Sequence, residues 1–201
     1  MRKCCLFDIQ NLSHSEYRTY YSLMSKERKR DVDRLHCLAD KKRCVAGEML
    51  ARKIIAEYCN VTEEEIHFRK TVYGKPFAIG LPVEFNVSHS GNAVACAVSN
   101  APIGIDVEEI RSVDLHVVKH ICTKDELVYL FGHLPDANDY FKTNEQELLI
   151  RFFRIWTAKE AYFKCLGTGI TNLKTIDYKN LCETKRLDQN VAGNTVVSIW
   201  C

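Results

Sequence analysis

The sequence contains no long apolar run. Its first ten residues, MRKCCLFDIQ, carry two basic residues and a short apolar patch that Asp8 and Gln10 interrupt. A secretory signal needs a longer apolar segment, and a membrane span needs about 20 apolar residues. We therefore expect neither, and we predict a cytoplasmic protein that has no contact with a membrane.

Paired cysteine motifs are also absent. The chain has ten cysteines, but none of them belongs to a CxxC pair and their spacing is irregular. Structural zinc sites usually take closely spaced pairs of ligands, and disulfide frameworks belong to exported proteins. We expect free thiols that are buried or partly buried.

The chain has little net charge and none of the common nucleotide-binding motifs. Its 28 Lys and Arg residues are nearly balanced by 26 Asp and Glu, which leaves a net charge of +2. Any electrostatic attraction must therefore be local. Neither a P-loop nor a glycine-rich dinucleotide fingerprint occurs. What is present is a chain of 201 residues, 46% of them hydrophobic, which suffices for one large core or two small ones.

Hydrophobic periodicity predicts an α+β fold. Helices are predicted over 36–59, 114–131 and 144–167. Short strands are predicted at VEFNV and AVACAV, joined by a polar turn SHSGN, and at IGIDVEE, KTIDY and TVVSIW. This order predicts two α+β halves, 1–100 and 101–201, joined at SNAPIG.

Two acids stand two residues apart in PIGIDVEEI, residues 102–110. On a strand, Asp106 and Glu108 would point to the same face. Neighbouring carboxylates repel each other unless a cation lies between them, and hard oxygen ligands favour Mg²⁺ or Mn²⁺. A solvated strand end is the alternative, because Glu109 and Arg111 continue the polar run.

The segment FFRIWTAKEAYFKCLGTGI, residues 152–170, places charges on an apolar helix face. At about 100° per residue, Glu160 falls in an apolar row and Lys164 lies one turn later. Such charges are costly unless they are paired, bind a ligand or open on a site. An exposed i,i+4 pair would explain Glu160 and Lys164, but it leaves Lys159, near the centre of the apolar stripe, unexplained.

His89 lies in FNVSHSG, residues 85–91, between two predicted strands. A tight turn there would project the imidazole and the hydroxyls of Ser88 and Ser90 toward a shared ligand. The alternative is an ordinary polar turn without a ligand.

A basic stretch runs from Lys26 to Arg43, with eight Lys or Arg against four acids, and Lys75 follows in a YGKPF loop. Such a stretch is usually a solvated helix face, but Arg can also grip phosphate in bidentate fashion. Nucleic-acid binding is a further alternative, although no recognisable motif for it occurs. With the acids and His89, the basic stretch predicts phosphoryl transfer on a ligand that has more than one phosphate group.

Four motifs, YGKP, FNVSHSG, IGIDVEEI and WTAKEAYFKCLGTG, occur in this order and together resemble the Sfp-type 4′-phosphopantetheinyl transferases over about residues 20–175. The resemblance implies two similar, pseudo-symmetric α+β halves with the active site and coenzyme A at their interface. It also implies transfer of the 4′-phosphopantetheine arm of coenzyme A to a serine of an apo carrier protein. A magnesium-dependent phosphohydrolase and a non-catalytic binder of coenzyme A or carrier protein are the alternatives.

The resemblance implies roles for single residues as well. Mg²⁺, with Mn²⁺ as a substitute, would be held by Asp106, Glu108 and Glu160. Glu160 would also act as the base toward the carrier serine, while Lys164 would contact the pyrophosphate and assist the leaving group. The residues implied to bind coenzyme A are Arg28, Arg43, Lys75, Ser88, His89, Lys159 and Lys164.

The chain departs from the family pattern in two places. Asp31 stands where relatives often carry a basic residue, which leaves Arg28 or Arg30 for the 3′-phosphate of coenzyme A. The chain stops at Trp200–Cys201, so we expect the second half to lack its closing strand or to complete its sheet differently. Residues 130–146 correspond to a variable segment near the carrier protein. Because both halves lie in one chain, we expect a monomer. We also expect that the protein binds no nucleic acid, since no recognisable motif for it occurs.

Overall fold

Two three-stranded antiparallel sheets, one in each half, organise the computed structural model, which describes residues 2–136, 146–169 and 172–201. The first half contains β1 (Arg2–Asp8), α1 (His14–Leu23), α2 (Lys26–Asp33), α3 (Leu38–Cys59), β2 (Phe68–Lys70), β3 (Pro76–Ala78), β4 (Glu84–Ser90) and β5 (Ala93–Ser99). The second half contains β6 (Gly104–Glu109), α4 (Leu115–Ile121), α5 (Lys124–Phe131), α6 (Gln146–Leu166), α7 (Tyr178–Glu183), β7 (Leu187–Ala192) and β8 (Thr195–Trp200).

The two halves share one topology. The strand orders are β1–β5–β4 and β6–β8–β7, and every neighbouring pair is antiparallel. In each half, the first strand leads to two short helices and one long helix that packs on the sheet. A final hairpin then completes the sheet and places its last strand in the middle. This arrangement confirms the predicted α+β fold of two similar halves, and it shows that β7 and β8 complete the second sheet.

Strand β5 alternates large and small side chains because its two faces have different neighbours. Val94 and Val98 point to the first core, beneath α3, and are fully buried. Ala95 and Ala97 point to the opposite face and pack with Ile105 of β6. These methyl groups are small, so the backbone of β6 can lie close against the first sheet.

The free edge of β6 is joined to the first half by side chains of β4, at every second residue. The three hydrogen bonds run from Ile105 N to Asn86 Oδ1 (3.0 Å), from Val107 N to Ser88 Oγ (3.3 Å) and from Glu109 N to Ser90 Oγ (3.2 Å). We call this set the β4–β6 ladder. It satisfies amide groups that a strand at the edge of a sheet would otherwise leave without a partner.

The prediction of a turn at SHSGN is wrong, because β4 continues through Ser90. His89 pairs with Val94 in the antiparallel ladder with β5, and this pairing overrides the turn propensity of the polar residues. The turn itself consists only of Gly91 and Asn92. Gly91 adopts a φ of +55°, which glycine accepts more readily than other residues.

Two further predictions are corrected by helix caps. The helix predicted over 114–131 is broken at Cys122 and Thr123, since Thr123 caps α5 in a capping box with Glu126. KTIDY is not a strand, because its Asp177 accepts a hydrogen bond from Lys179 N and begins α7. Strands β1 and β7 were not predicted.

Residues 137–145, in the segment that the resemblance places near the carrier protein, lie outside the described residues. No helix in the ranges given above combines the length and the apolar character needed to cross a membrane.

Candidate active site

Helix α6 lies directly on β6 because Gly104 has no side chain. A Cβ at this position would lie 2.0 Å from Ala161 O and 2.5 Å from Cys165 N, so any other residue would push the helix away from the strand. This close approach brings Lys164, on the same helix, within reach of Asp106.

Asp106 is the buried centre of the candidate site. Its residue is 1% exposed, and its Oδ1 accepts hydrogen bonds from Ser88 Oγ (2.7 Å) and Lys164 Nζ (2.5 Å). Its Oδ2 is buried without a hydrogen-bond partner among the described residues. Burial raises the pKa of Asp106 to about 7, against the opposing effect of Lys164 and with a further increase from Glu160. A buried carboxylate oxygen without a partner is costly, and a bound cation would satisfy it.

The ammonium of Lys164 lies between two carboxylates, because its Nζ is also 3.4 Å from Glu160 Oε2. Burial disfavours the charged ammonium, but Asp106 and Glu160 outweigh burial and raise the pKa of Lys164. Trp156 Nε1 donates to the other oxygen of Glu160, Oε1, at 2.7 Å. The side chains of Glu160 and Lys164 are only 18% and 22% exposed, so they do not form the exposed pair that we considered.

Glu108 lies on the same face of β6 as Asp106, as the strand periodicity predicts. Its Oε2 accepts hydrogen bonds from Ser90 Oγ (2.6 Å) and Arg111 Nη1 (2.8 Å), and the side chain is 15% exposed. This end of the strand is therefore largely shielded from solvent, contrary to the alternative of a solvated strand end.

Asp106 and Glu160 both contact Lys164, and Glu108 lies two residues beyond Asp106 on β6. Within the described ranges, no group of three or more His, Cys, Asp or Glu residues could hold a metal ion as arranged. Lys164 separates Asp106 from Glu160, and Arg111 is paired with Glu108. Three carboxylates, one of them with an oxygen that has no partner in the described part of the chain, nevertheless fit the chemistry of a hard divalent cation.

His89 and Ser88 point to opposite faces of β4, because side chains alternate along a strand. Ser88 bonds to Asp106, whereas His89 lies near Arg43 and Arg28. His89 is exposed, but the atoms packed around its imidazole desolvate it in part and lower its pKa, and the charges of Arg43, Lys164 and Arg28 lower the pKa further. The expectation that a turn directs His89 and its flanking serines toward one ligand is therefore wrong.

Lys75 lies at the other end of β4 from His89. Its Nζ is 3.1 Å from Glu84 Oε2, at the start of the strand. At about 3.3 Å per residue, Glu84 and His89 are roughly 16 Å apart. Lys75 therefore lies far from the two arginines near His89. Asp31 stands where relatives often carry a basic residue, and its Oδ2 lies 3.3 Å from Lys70 Nζ.

Lys159 does not face the site, which corrects the contact with coenzyme A that the resemblance implies. It is fully buried, and its Nζ donates to Glu126 Oε2 (2.6 Å) and to Ile121 O (3.1 Å). Glu126 also accepts hydrogen bonds from Thr123 N and Tyr178 N. The lysine in the apolar stripe is thus half of a buried ion pair that connects α5, α6 and α7.

Sequence reasoning missed the roles of Gly104, Trp156 and Ser90 around the acids. One signal could have revealed Ser90. The polar residues Asn86, Ser88 and Ser90 recur at every second position of a strand, so they share a face. That pattern predicts a polar strand face directed at a partner, and the β4–β6 ladder is that partner contact.

Two family models match adjacent parts of the chain. The model of the 4′-phosphopantetheinyl transferase superfamily matches residues 102–198. A model described as 4′-phosphopantetheinyl transferase, N-terminal, matches residues 11–101.

The chain is also similar to characterised proteins over most of its length. It is 35% identical to the 4′-phosphopantetheinyl transferase gsp of Aneurinibacillus migulanus over 172 residues, which cover 84% of this chain and 68% of that protein. It is 30% identical to the transferase Sfp of Bacillus subtilis strain 168 over 161 residues, 80% of this chain and 67% of Sfp. It is 32% identical to the transferase HetI of a Nostoc species over 169 residues, 81% of this chain and 68% of HetI.

Proposed function

This chain belongs to the 4′-phosphopantetheinyl transferase family, and we propose that the site around Asp106 carries the family reaction. In that reaction, the phosphopantetheine arm of coenzyme A is transferred to a carrier protein. We take the acceptor to be a serine hydroxyl and the second product to be adenosine 3′,5′-bisphosphate. The observation that carries the proposal is the buried contact of Asp106 with Lys164, which joins the acids of β6 to the catalytic face of α6.

Asp106, Glu108 and Glu160 would hold Mg²⁺, or Mn²⁺ in its place. The support is the all-carboxylate donor set and the buried Oδ2 of Asp106, which has no partner among the described residues. When bound, the ion would supply positive charge to the pyrophosphate group of coenzyme A.

Glu160 would serve as the general base. A serine hydroxyl is a weak nucleophile at neutral pH and needs a base that takes its proton. Trp156 donates to Glu160 Oε1, and Lys164 Nζ lies 3.4 Å from Oε2, so Oε2 is the less firmly held oxygen and would accept that proton. The serine oxygen then forms a bond to the phosphorus that carries the pantetheine, and the bond from this phosphorus to the bridging pyrophosphate oxygen breaks. The electron pair leaves with adenosine 3′,5′-bisphosphate.

Lys164 would stabilise the charge that develops on this leaving group. Its ammonium keeps its proton because the carboxylates of Asp106 and Glu160 raise its pKa. A fixed cation beside a departing phosphate oxygen acts mainly through electrostatic stabilisation of the transition state.

Arg28, Arg43 and His89 would bind a phosphate group of coenzyme A. The guanidinium charges of Arg28 and Arg43 lie close enough to add to the lowering of the pKa of His89. Arg43 itself pairs with Asp40 and donates to Gly91 O at 2.6 Å, which holds its guanidinium beside the turn that follows β4. Arginine suits this role because its guanidinium can contact two phosphate oxygens at once. We expect Lys75 to contact a different part of the coenzyme, since it lies at the far end of β4.

We also propose a cytoplasmic monomer whose partners are coenzyme A and an apo carrier protein, and which binds neither nucleic acid nor membrane. The support for a monomer is that one chain supplies both sides of the site. Ser88 comes from the first half, whereas Asp106 and Lys164 come from the second.

The decisive experiment measures the intact mass of apo carrier proteins from fatty-acid, polyketide and nonribosomal-peptide synthesis. Each is incubated with coenzyme A, Mg²⁺ and this protein, beside a carrier in which the acceptor serine is alanine. We expect a gain of one phosphopantetheine on at least one wild-type carrier and none on the alanine control. Phosphate or pyrophosphate release without an acceptor would instead indicate a phosphohydrolase. Binding of coenzyme A without any mass gain would indicate a non-catalytic binder.

A further inference from the structure

Two members of the β4–β6 ladder also contact a carboxylate, and the third does not. Ser88 Oγ donates to Asp106 Oδ1 at 2.7 Å, and Ser90 Oγ donates to Glu108 Oε2 at 2.6 Å. Each serine thus holds an acid and also accepts from the amide of the next residue along β6. Asn86 also accepts from a β6 amide, that of Ile105, but within the described residues its side chain makes no hydrogen bond to a carboxylate.

The two bonds of Ser90 fix the direction of its hydroxyl proton. A hydroxyl carries a single proton and can accept at its lone pairs. The oxygen of Ser90 accepts from Glu109 N, and its proton is directed to Glu108 Oε2 because a carboxylate can only accept. Arg111 Nη1 donates to the same oxygen. Oε2 is therefore held from two sides, whereas Oε1 of Glu108 makes no such bond within the described residues and is left for a further ligand.

We infer that Ser90 is a positioning residue that sets the orientation of Glu108 for a divalent cation. Glu108 belongs to the second half of the chain and Ser90 to the first. The bonds of Ser90 therefore align the two halves and orient the carboxylate at the same time. Ser88 is a less selective probe of this role, because its Oγ also accepts from Lys164 Nζ at 3.0 Å. This inference rests on the proposed function, which requires the cation.

The test compares Ser90→Ala with Asn86→Ala. Each substitution removes the acceptor of one β6 amide, but only Ser90→Ala also removes a bond to a carboxylate. Mg²⁺ binding is measured by calorimetry and by the rise in Tm on titration, without coenzyme A or carrier protein. Loss of a hydrogen bond that orients a metal ligand typically weakens metal affinity 10- to 100-fold. We expect a loss of about 10-fold for Ser90→Ala, and for Asn86→Ala a lower Tm with unchanged Mg²⁺ affinity.

Two more variants complete the experiment. Ser90→Thr keeps the hydroxyl with both of its hydrogen bonds and should restore Mg²⁺ affinity. Ser90→Cys keeps the size of the side chain with a weaker donor, and it replaces the alanine variant if that variant does not fold. Equal Mg²⁺ affinity in the Ser90→Ala and Asn86→Ala proteins would overturn the inference, as would a wild-type protein that binds no Mg²⁺. Failure of the proposed function is distinguishable, because it would appear as no mass gain on any carrier while Mg²⁺ binding is unaffected.

Discussion

Two lysines, five positions apart on α6, meet carboxylates in opposite ways. Lys159 is fully buried and pairs with Glu126, whose carboxylate also accepts two backbone amides. Lys164 is partly exposed and lies between Asp106 and Glu160, and Asp106 keeps a buried oxygen without a partner among the described residues.

The contrast is the one that we expect between a structural ion pair and an ion pair of the proposed active site. Lys159 donates to Glu126 and to Ile121 O, and both carboxylate oxygens of Glu126 accept hydrogen bonds. The pair therefore connects three helices, and among the described residues its carboxylate oxygens are already bonded rather than left for a ligand. Around Lys164, Asp106 Oδ2 has no hydrogen-bond partner among the described residues, and the side chains of Glu160 and Lys164 are partly exposed. Buried polar groups are normally satisfied, so an exception beside an opening is typical of a ligand site. Four predictions test this comparison, in order of decreasing effect.

Glu160→Gln should abolish transfer and leave the fold intact. Loss of the general base should lower the rate of mass gain on an apo carrier by about 100- to 10,000-fold, because the amide cannot take the serine proton. Glu147→Gln is the matched control, since Glu147 lies on the same helix and pairs with Arg151 in an exposed position. Circular dichroism checks the fold of both variants. Near wild-type turnover of Glu160→Gln would remove Glu160 from the proposed role.

Lys159→Met should destabilise the protein more than Lys164→Met. Removing Lys159 leaves Glu126 charged and buried, which typically costs about 3–5 kcal/mol. Removing Lys164 should cost less, because Asp106, whose pKa is raised to about 7, can take up a proton instead. Urea unfolding measures the free energy, and transfer assays should show the opposite order, with Lys164→Met the more impaired.

The double variant Lys159→Met with Glu126→Leu provides the control for this result. It removes both charges, so it should recover part of the stability that the single change loses. If Lys164→Met proves the less stable single variant, the assignment of Lys159 to structure and Lys164 to function is incorrect.

Mg²⁺ binding should tighten as pH rises through about 7. Burial raises the folded-state pKa of Asp106 from its ordinary 3.8 to about 7, so the native protein binds more protons than the unfolded chain between these values. In the absence of metal, stability from this group is therefore present at low pH and is lost as pH rises toward 7. A cation competes with the same proton. Tm measured from pH 5 to 8, with and without Mg²⁺, should show a growing difference, and Asp106→Asn should remove it.

Arg151→Ala should have the smallest effect. Arg151 and Glu147 form an exposed i,i+4 pair at the start of α6, with 3.1 Å between Nε and Oε1. Such pairs contribute about 0.2–0.5 kcal/mol, so urea unfolding should barely change and transfer should be normal. This value provides the baseline against which the changes at Lys159 and Lys164 are compared. A loss above about 1 kcal/mol would exceed what an exposed pair explains.

The candidate site was predictable where its geometry depends on local periodicity. Asp106 and Glu108 share a strand face, and Glu160 and Lys164 share a helix face, as the spacing of the residues requires. Prediction failed where a tertiary partner decided the outcome. The polar turn expected around His89 is a strand, because pairing with β5 outweighs the local preference of these residues.

By itself, the sequence determined the fold class, the chemistry of the acids and the faces on which they lie, because these follow from residue type and from the repeat of a helix or a strand. Only the tertiary structure decided which carboxylate each lysine meets. Lys159 pairs with a glutamate 33 positions away and Lys164 with an aspartate 58 positions away. The distance between such partners depends on how α6 packs on β6 at Gly104 and against α5. No local pattern of residues predicts that packing.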